Sequence, residues 1–351
     1  LTAHLLEDGR VARLTGAAEQ LLGADALGKP LSAWLPLQEA DRIAEAAARG
    51  EGLALCGVTV AGAPFDLQCV PLDRSAWITI NPMGQTGPGA LSAAMSQLGG
   101  KLRAPLIPLL SALGLLSGRL EEAQDEKSRR YFASLSQSCL QLLRLSNNLL
   151  ELPQYLSGQT TLHLRERDLT AFAGETVDAA SPFAAARGVS LLFDPPDAPL
   201  TLAFDEQKIE RLLLNLLSNA LLHTPGGGKV TLSLSGAPEF VWLRVADTGE
   251  GIPPDMLPHI FHTPFAPGRD GGTLGLPLVR GIAELHGGAV MLESVVGKGT
   301  SVAVSLRRSR AASELLRSHP SADYAGGFSH ALLELSVTLP SGHPLYHPTR
   351  Y

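Results

Sequence analysis

Asn215-Leu-Leu-Ser-Asn219-Ala, Asp247-Thr-Gly249-Glu-Gly251-Ile, Gly271-Gly-Thr-Leu-Gly275-Leu and Gly297-Lys-Gly299-Thr300 follow one another in that order in the second half of a 351-residue chain. A glycine cluster alone marks a turn more often than a ligand site, so the weight lies in the order of all four. Asn215 and Asn219 stand four apart in the leucine-rich stretch Lys208–Leu222, which places both amides on one helical face. Asp247 ends the apolar run 240–246, read as a strand, and a carboxylate held there needs a hydrogen-bonding partner.

Outward from these segments, residues 161–308 read as helices alternating with strands. The expected architecture is an α/β sandwich with helices on one face of a mixed sheet. Upstream, Ala90–Leu120 and Tyr131–Leu152 carry apolar residues three or four apart, as helices that bury one face do. Two such helices cannot cover faces this wide alone, and pairing with a second copy would make a four-helix bundle. Pro105 and Pro108 lie inside the first helix and are expected to bend it. Residues 81–89 form a turn-rich linker, preceded by a small α+β module over residues 1–82 with strands at Ala54–Val60, Phe65–Val70 and Trp77–Ile80. Its helical stretches are Ala17–Leu22 and Glu39–Ala48. Residues 309–351 are a C-terminal extension, apolar enough to be a packed cover. Within it Ala331–Leu339 reads as a strand or a short helix.

Composition sets limits. Hydrophobic content of 45% with 18% charged residues fits a globular protein of two or three domains. A net charge of −6 argues against nucleic acid as a partner. Three cysteines without metal-type spacing suggest neither disulfides nor zinc and fit the cytoplasm. No apolar run reaches the roughly 18 residues of a membrane helix, so a membrane anchor is expected only if a segment precedes Leu1.

The four segments together resemble the ATP-binding domain of sensor histidine kinases, shared with gyrases and Hsp90-type chaperones. The resemblance implies ATP or ADP with Mg2+ as cofactor. Asn219 would bind the magnesium with Asn215 beside it, as a neutral oxygen ligand suits that ion. Asp247 would accept a hydrogen bond from the adenine amino group, with Gly249 and Gly251 admitting the ring and Thr300 completing the set. Gly271 and Gly275 would bracket the lid and the helix N-terminus that faces the phosphates. The segment departs from the family pattern at Thr273, which replaces a glycine, and at Leu222, where the family usually has a lysine or arginine touching the phosphates. The lid, 253–270, is short. A lost charged hydrogen bond costs roughly 1.5–3 kcal/mol, so nucleotide binding is expected to be weak or absent, with His223 a partial substitute if protonated. Residues 1–82 resemble a PAS sensor domain, whose ligand is unknown.

The hairpin, 90–157, resembles the dimerisation and histidine-acceptor domain of the same family, which reads His-Glu-Leu-Arg-Xaa-Pro-Leu. Anchored on Leu102-Arg103-Ala104-Pro105-Leu106, the acceptor position is Gly100 and the base position Lys101. No histidine occurs between residues 90 and 160, and the paired loss reads as decay or repurposing. Autophosphorylation needs a neutral imidazole and a carboxylate beside it, so it is expected to be absent and no catalytic residue is assigned. The expected protein is a homodimeric pseudokinase in a phosphorelay, contacting a response regulator or another histidine kinase through Leu102, Pro105, Leu106 and Leu109. Two alternatives stay open. One is an enzyme with kinase or slow ATPase activity on a non-standard acceptor such as His330, although Asn215 stands where gyrase-type ATPases place a catalytic glutamate. The other is a PAS-gated sensor whose C-terminal half is structural.

Overall fold

A computed structural model describes residues 2–6, 10–14, 19, 22, 26–49, 52–60, 63–72, 75–82, 89–120, 126–156, 160–254, 256–257, 260–261, 274–308, 324–325 and 327–346. The expected helix Ala17–Leu22 (apart from residues 19 and 22), the lid residues 262–270, and Gly271 and Thr273 lie outside them.

The N-terminal module consists of β1 (Thr2–Leu6), β2 (Val11–Leu14), helix α1 (Leu37–Arg49), β3 (Gly52–Val60), β4 (Ala63–Leu72) and β5 (Ser75–Pro82). Its strands run antiparallel in the order β2-β1-β5-β4-β3. Period-two patterning decides the covered face, burying Phe65, Leu67 and Cys69 on β4 and Ala76, Ile78 and Ile80 on β5. On β3 the buried set changes from Leu53 and Leu55 to Val58 and Val60, because the register shifts between Leu55 and Val58. Ala40, Ile43 and Ala46 of α1 close this core.

Helices α2 (Gly89–Leu120) and α3 (Glu126–Leu156) form the expected hairpin, with Pro105 and Pro108 inside α2. Helix α3 starts ahead of Tyr131, at Glu126, where an acidic residue favours a helix N-terminus. The glycine pair near the start of α2 divides into two different cases. Gly99 is buried against α3: a Cβ there would meet the Ser146 carbonyl oxygen at 2.7 Å, and the Ser146 hydroxyl donates to the Gly99 carbonyl at 2.5 Å. Gly99 therefore serves close helix packing. At Gly100 a Cβ would find only Leu150 Cδ1, at 3.9 Å. Gly99→Ala is expected to destabilise, since overpacking costs about 1–3 kcal/mol. Gly100→Ala should stabilise by up to about 1 kcal/mol through helix propensity. Urea unfolding of the two variants checks this, and equal signs would refute it.

The third unit comprises β6 (Arg165–Asp168), α4 (Leu169–Ala186), β7 (Ser190–Asp194), β8 (Thr201–Phe204), α5 (Glu206–His223), β9 (Lys229–Gly236), β10 (Phe240–Asp247), α6 (Gly275–Leu285), β11 (Val290–Val295) and β12 (Gly299–Arg307). Aspartates begin two of its helices. Asp168 accepts from the N–H groups of Thr170 and Ala171, and Asp205 from that of Lys208. Strands run in the order β11-β12-β10-β9-β7, antiparallel except for the parallel β7–β9 pair. Val230, Leu232, Val241, Leu243, Val290 and Val304 meet Leu212, Leu216, Leu278 and Ile282 in one core, so the helices lie on one face as expected. His286 joins this core in its neutral form, accepting from the Asp205 N–H at 3.2 Å; burial lowers its pKa.

Two further features complete the fold. First, β11 pairs antiparallel with β3, so both modules share a ten-stranded sheet. Met291 and Ala303 join the N-terminal core, and Arg42 of α1 pairs with Glu293 at 3.3 Å. Second, the described residues 324, 325 and 327–346 include a short helix α7 (His330–Glu334) followed by turns, so Ala331–Leu339 begins as helix and not as strand. Ser329 caps α7, and Tyr324, Leu333, Leu335 and Tyr346 are buried in the main core.

Candidate functional site

Strand β10 brings Asp247 to the end of the sheet, half-buried. Its Oδ1 accepts the N–H of Gly249 at 2.8 Å and of Thr300 at 3.2 Å. Both bonds fall on one oxygen, and among the described residues Oδ2 has no protein donor. Burial raises the Asp247 pKa, while the two N–H groups and His223 oppose the rise. The glycines around it close the chain on itself. A Cβ on Gly251 (φ +71°) would meet the Val295 carbonyl oxygen at 2.2 Å, and one on Gly299 (φ +119°) the Asp247 carbonyl oxygen at 2.0 Å. Gly249 is equally tight, with its Cβ position 2.4 Å from the His223 carbonyl oxygen. Strand ends held this close fix the carboxylate in place.

The asparagine face comes together with the start of α6. A Cβ on Gly275 would lie 2.9 Å from Asn215 Oδ1 and 3.6 Å from Asn219 Nδ2. The two amides nevertheless differ. Asn219 is partly exposed, whereas Asn215 is fully buried. Asn215 Oδ1 accepts from Arg144 at 3.0 Å, and its Nδ2 donates to the Arg211 carbonyl at 2.9 Å and to Glu334 Oε2 at 3.1 Å. Asn215, expected beside magnesium, thus has both N–H donors and one lone pair of its oxygen engaged by protein partners.

Those partners form an ionic cluster that sequence reasoning missed. Glu334 of α7, fully buried, pairs with Arg144 of α3 at 2.9 Å and Arg211 of α5 at 3.3 Å. Arg211, 1% exposed, also pairs with Glu151 and donates to Asn148 Oδ1 at 2.7 Å, and its guanidinium lies over the Tyr324 ring. Burial works against its charge, but Glu151 and Glu334 outweigh it and hold the guanidinium above its usual range. One signal was available. Arg144 follows the buried Leu140 and Leu143 on α3, and Arg211 precedes Asn215 by one helical turn, so both charges fall on apolar faces.

On the phosphate side, Leu222 offers no cation. The His223 Nδ1 lies 3.0 Å from Glu250 Oε1, so the suggested substitute has a carboxylate partner of its own. On the hairpin, Gly100 and the exposed Lys101 carry neither an imidazole nor a carboxylate. Leu102, Pro105 and Leu109 are exposed, as are Leu98, Leu116, Leu135, Leu142 and Leu145, while Leu106 is half-buried against the core.

Residues 204–310 match the family described as histidine kinase-, DNA gyrase B-, and HSP90-like ATPase. This part of the chain has the histidine-kinase-type ATPase fold. Curated relatives matched over longer stretches are sensor proteins and histidine kinases. The chain is 33% identical over 201 residues to the alginate biosynthesis sensor protein KinB of Pseudomonas aeruginosa, covering 57% of this chain and 34% of that one. It is 32% identical over 201 residues to the sensor protein DivL of Caulobacter vibrioides, covering 57% of this chain and 26% of that one. The chain thus spans about a third or less of these relatives. Among solved structures, full-length ShkA in complex with AMPPNP superposes with a TM-score of 0.52 at 28% identity, covering 63% of this chain and 47% of that one. Among the described residues no helix is long and apolar enough to cross a membrane.

Proposed function

We propose that this chain is a pseudokinase of two-component signalling, with a PAS-type sensor at residues 1–82, a homodimerising hairpin at 90–157 and an ATPase domain at 161–308. It passes signals through contacts with a response regulator or another histidine kinase, not through its own phosphohistidine. The observation that carries this reading is the acceptor register: Gly100 and Lys101 stand where an imidazole and a carboxylate are required, and no histidine lies between residues 90 and 160. The strand order β2-β1-β5-β4-β3 supports the sensor assignment. The exposed leucines of α2 and α3 support pairing with a second copy, because faces of this width are seldom left to water. For nucleotide, the unoccupied acceptor Oδ2 of Asp247 suits the adenine amino group, and Asn219 would hold magnesium. With Asn215 committed and Leu222 uncharged, binding is weak.

A second reading, phosphorylation of another histidine, is favoured by one contact. His330 Nδ1 lies 2.5 Å from Glu210 Oε2, an imidazole–carboxylate pair, although the ring is stacked on Tyr324. Incubation with radiolabelled ATP and magnesium is expected to leave no acid-labile phosphohistidine. Label that disappears in His330→Gln would establish the second reading instead.

A further inference from the structure

We propose that residues 324–346 are an autoinhibitory strap, which bolts the ATPase domain to the helical hairpin and competes with nucleotide by engaging Asn215 through Glu334. This rests on the reading of the Asp247 pocket as a nucleotide site.

The strap contacts both bodies it joins. On the hairpin side, Gln137 donates to the carbonyls of Ser336 at 2.9 Å and Leu339 at 2.8 Å, Gln141 to Ser336 at 2.9 Å, and Asn147 to Tyr324 at 2.8 Å. On the ATPase side, Arg187 donates to the Thr338 carbonyl at 2.6 Å, and His330 pairs with Glu210. Between the two bodies lies Glu334, reaching Arg144 of the hairpin and Arg211 and Asn215 of the ATPase domain with one carboxylate. This joint ties up the one amide of the asparagine pair that faces away from solvent.

Charge gives the joint its switching character. Arg144 and Arg211 carry two positive charges, balanced by Glu334 and Glu151. Withdrawing Glu334 leaves a buried excess of one positive charge, which costs free energy unless another anion replaces the carboxylate. A nucleotide's phosphate groups supply such an anion while seeking the Asn215 amide. Strap and nucleotide then bind antagonistically, and by linkage each weakens the other by the same factor.

The test uses the full chain. Gln137→Met removes two strap bonds without touching any residue of the nucleotide pocket, and Glu334→Gln removes the charge in the joint. Strap opening is read from hydrogen exchange of residues 330–339, folding from circular dichroism, and affinity from calorimetric titration with ATP and magnesium. We expect faster exchange and about tenfold or more tighter binding in Gln137→Met, matching the range of ordinary coupling energies. ATP and magnesium should speed exchange of the same residues in the wild type. An opened strap with unchanged or absent nucleotide binding would overturn the proposal, as would a strap that stays protected in both folded variants. Failure of the site reading has a separate signature, ATP binding that survives Asp247→Asn.

Discussion

Replacing Arg211 with methionine is expected to cost about 3–5 kcal/mol of stability, the largest effect of any single substitution considered for this chain. The guanidinium is 1% exposed and compensates two carboxylates, Glu151 and Glu334. Methionine keeps much of the volume and can pack against Tyr324, so the loss is electrostatic rather than a cavity effect. Both carboxylates would be left short of a partner, Glu334 with Arg144 alone. Arg130→Met is the control, because its pairing with Glu126 is exposed to water on both sides and contributes little. Urea or guanidinium unfolding of the two variants decides the matter. Equal midpoints would mean that the cluster does not hold the tail, hairpin and ATPase domain together.

Asp247→Asn is expected to abolish measurable nucleotide binding. A hydrogen bond to a charged acceptor is worth about 1.5–3 kcal/mol, or roughly ten- to a hundred-fold in affinity. From a weak starting affinity that loss moves binding out of calorimetric range. The substitution spares the fold, since an asparagine Oδ1 can still accept from the N–H groups of Gly249 and Thr300. What it removes is the second acceptor oxygen, replaced by an NH2 that would face the adenine amino group donor to donor. Titration with ATP and magnesium, beside a circular dichroism spectrum matching the wild type, provides the check. Undiminished binding would place the adenine elsewhere.

Much of the ATPase domain was legible because its information is local. Asn215 and Asn219 lie four apart on one helix, and the strand ending in Asp247 is followed at once by the glycines that close around it. The helical hairpin was legible for the same reason, through leucines at helical spacing. What escaped was long-range. Glu334 reads as one polar residue in an apolar run, and only the fold shows that Arg144 and Arg211 await it from two other elements. The commitment of Asn215 to those partners was hidden for the same reason. Gly99 and Gly100 are the same residue type side by side, yet one meets a neighbouring helix and the other open space, a distinction that requires both helices in place. The pairing of β3 with β11 joins segments more than 200 residues apart, and nothing in either strand's pattern names its neighbour.

That pairing has a mechanical consequence. Strands in register, with Val290 opposite Cys56 and Ser294 opposite Gly52, cannot slide past each other by small amounts. A shift of one residue would turn Met291 out of the N-terminal core and force Leu292 into its place, exchanging every inward side chain for an outward one. Any displacement of the N-terminal module against β11 is therefore a discrete step. The joint is either zipped in this one register or parted, and it works as a latch with no intermediate setting.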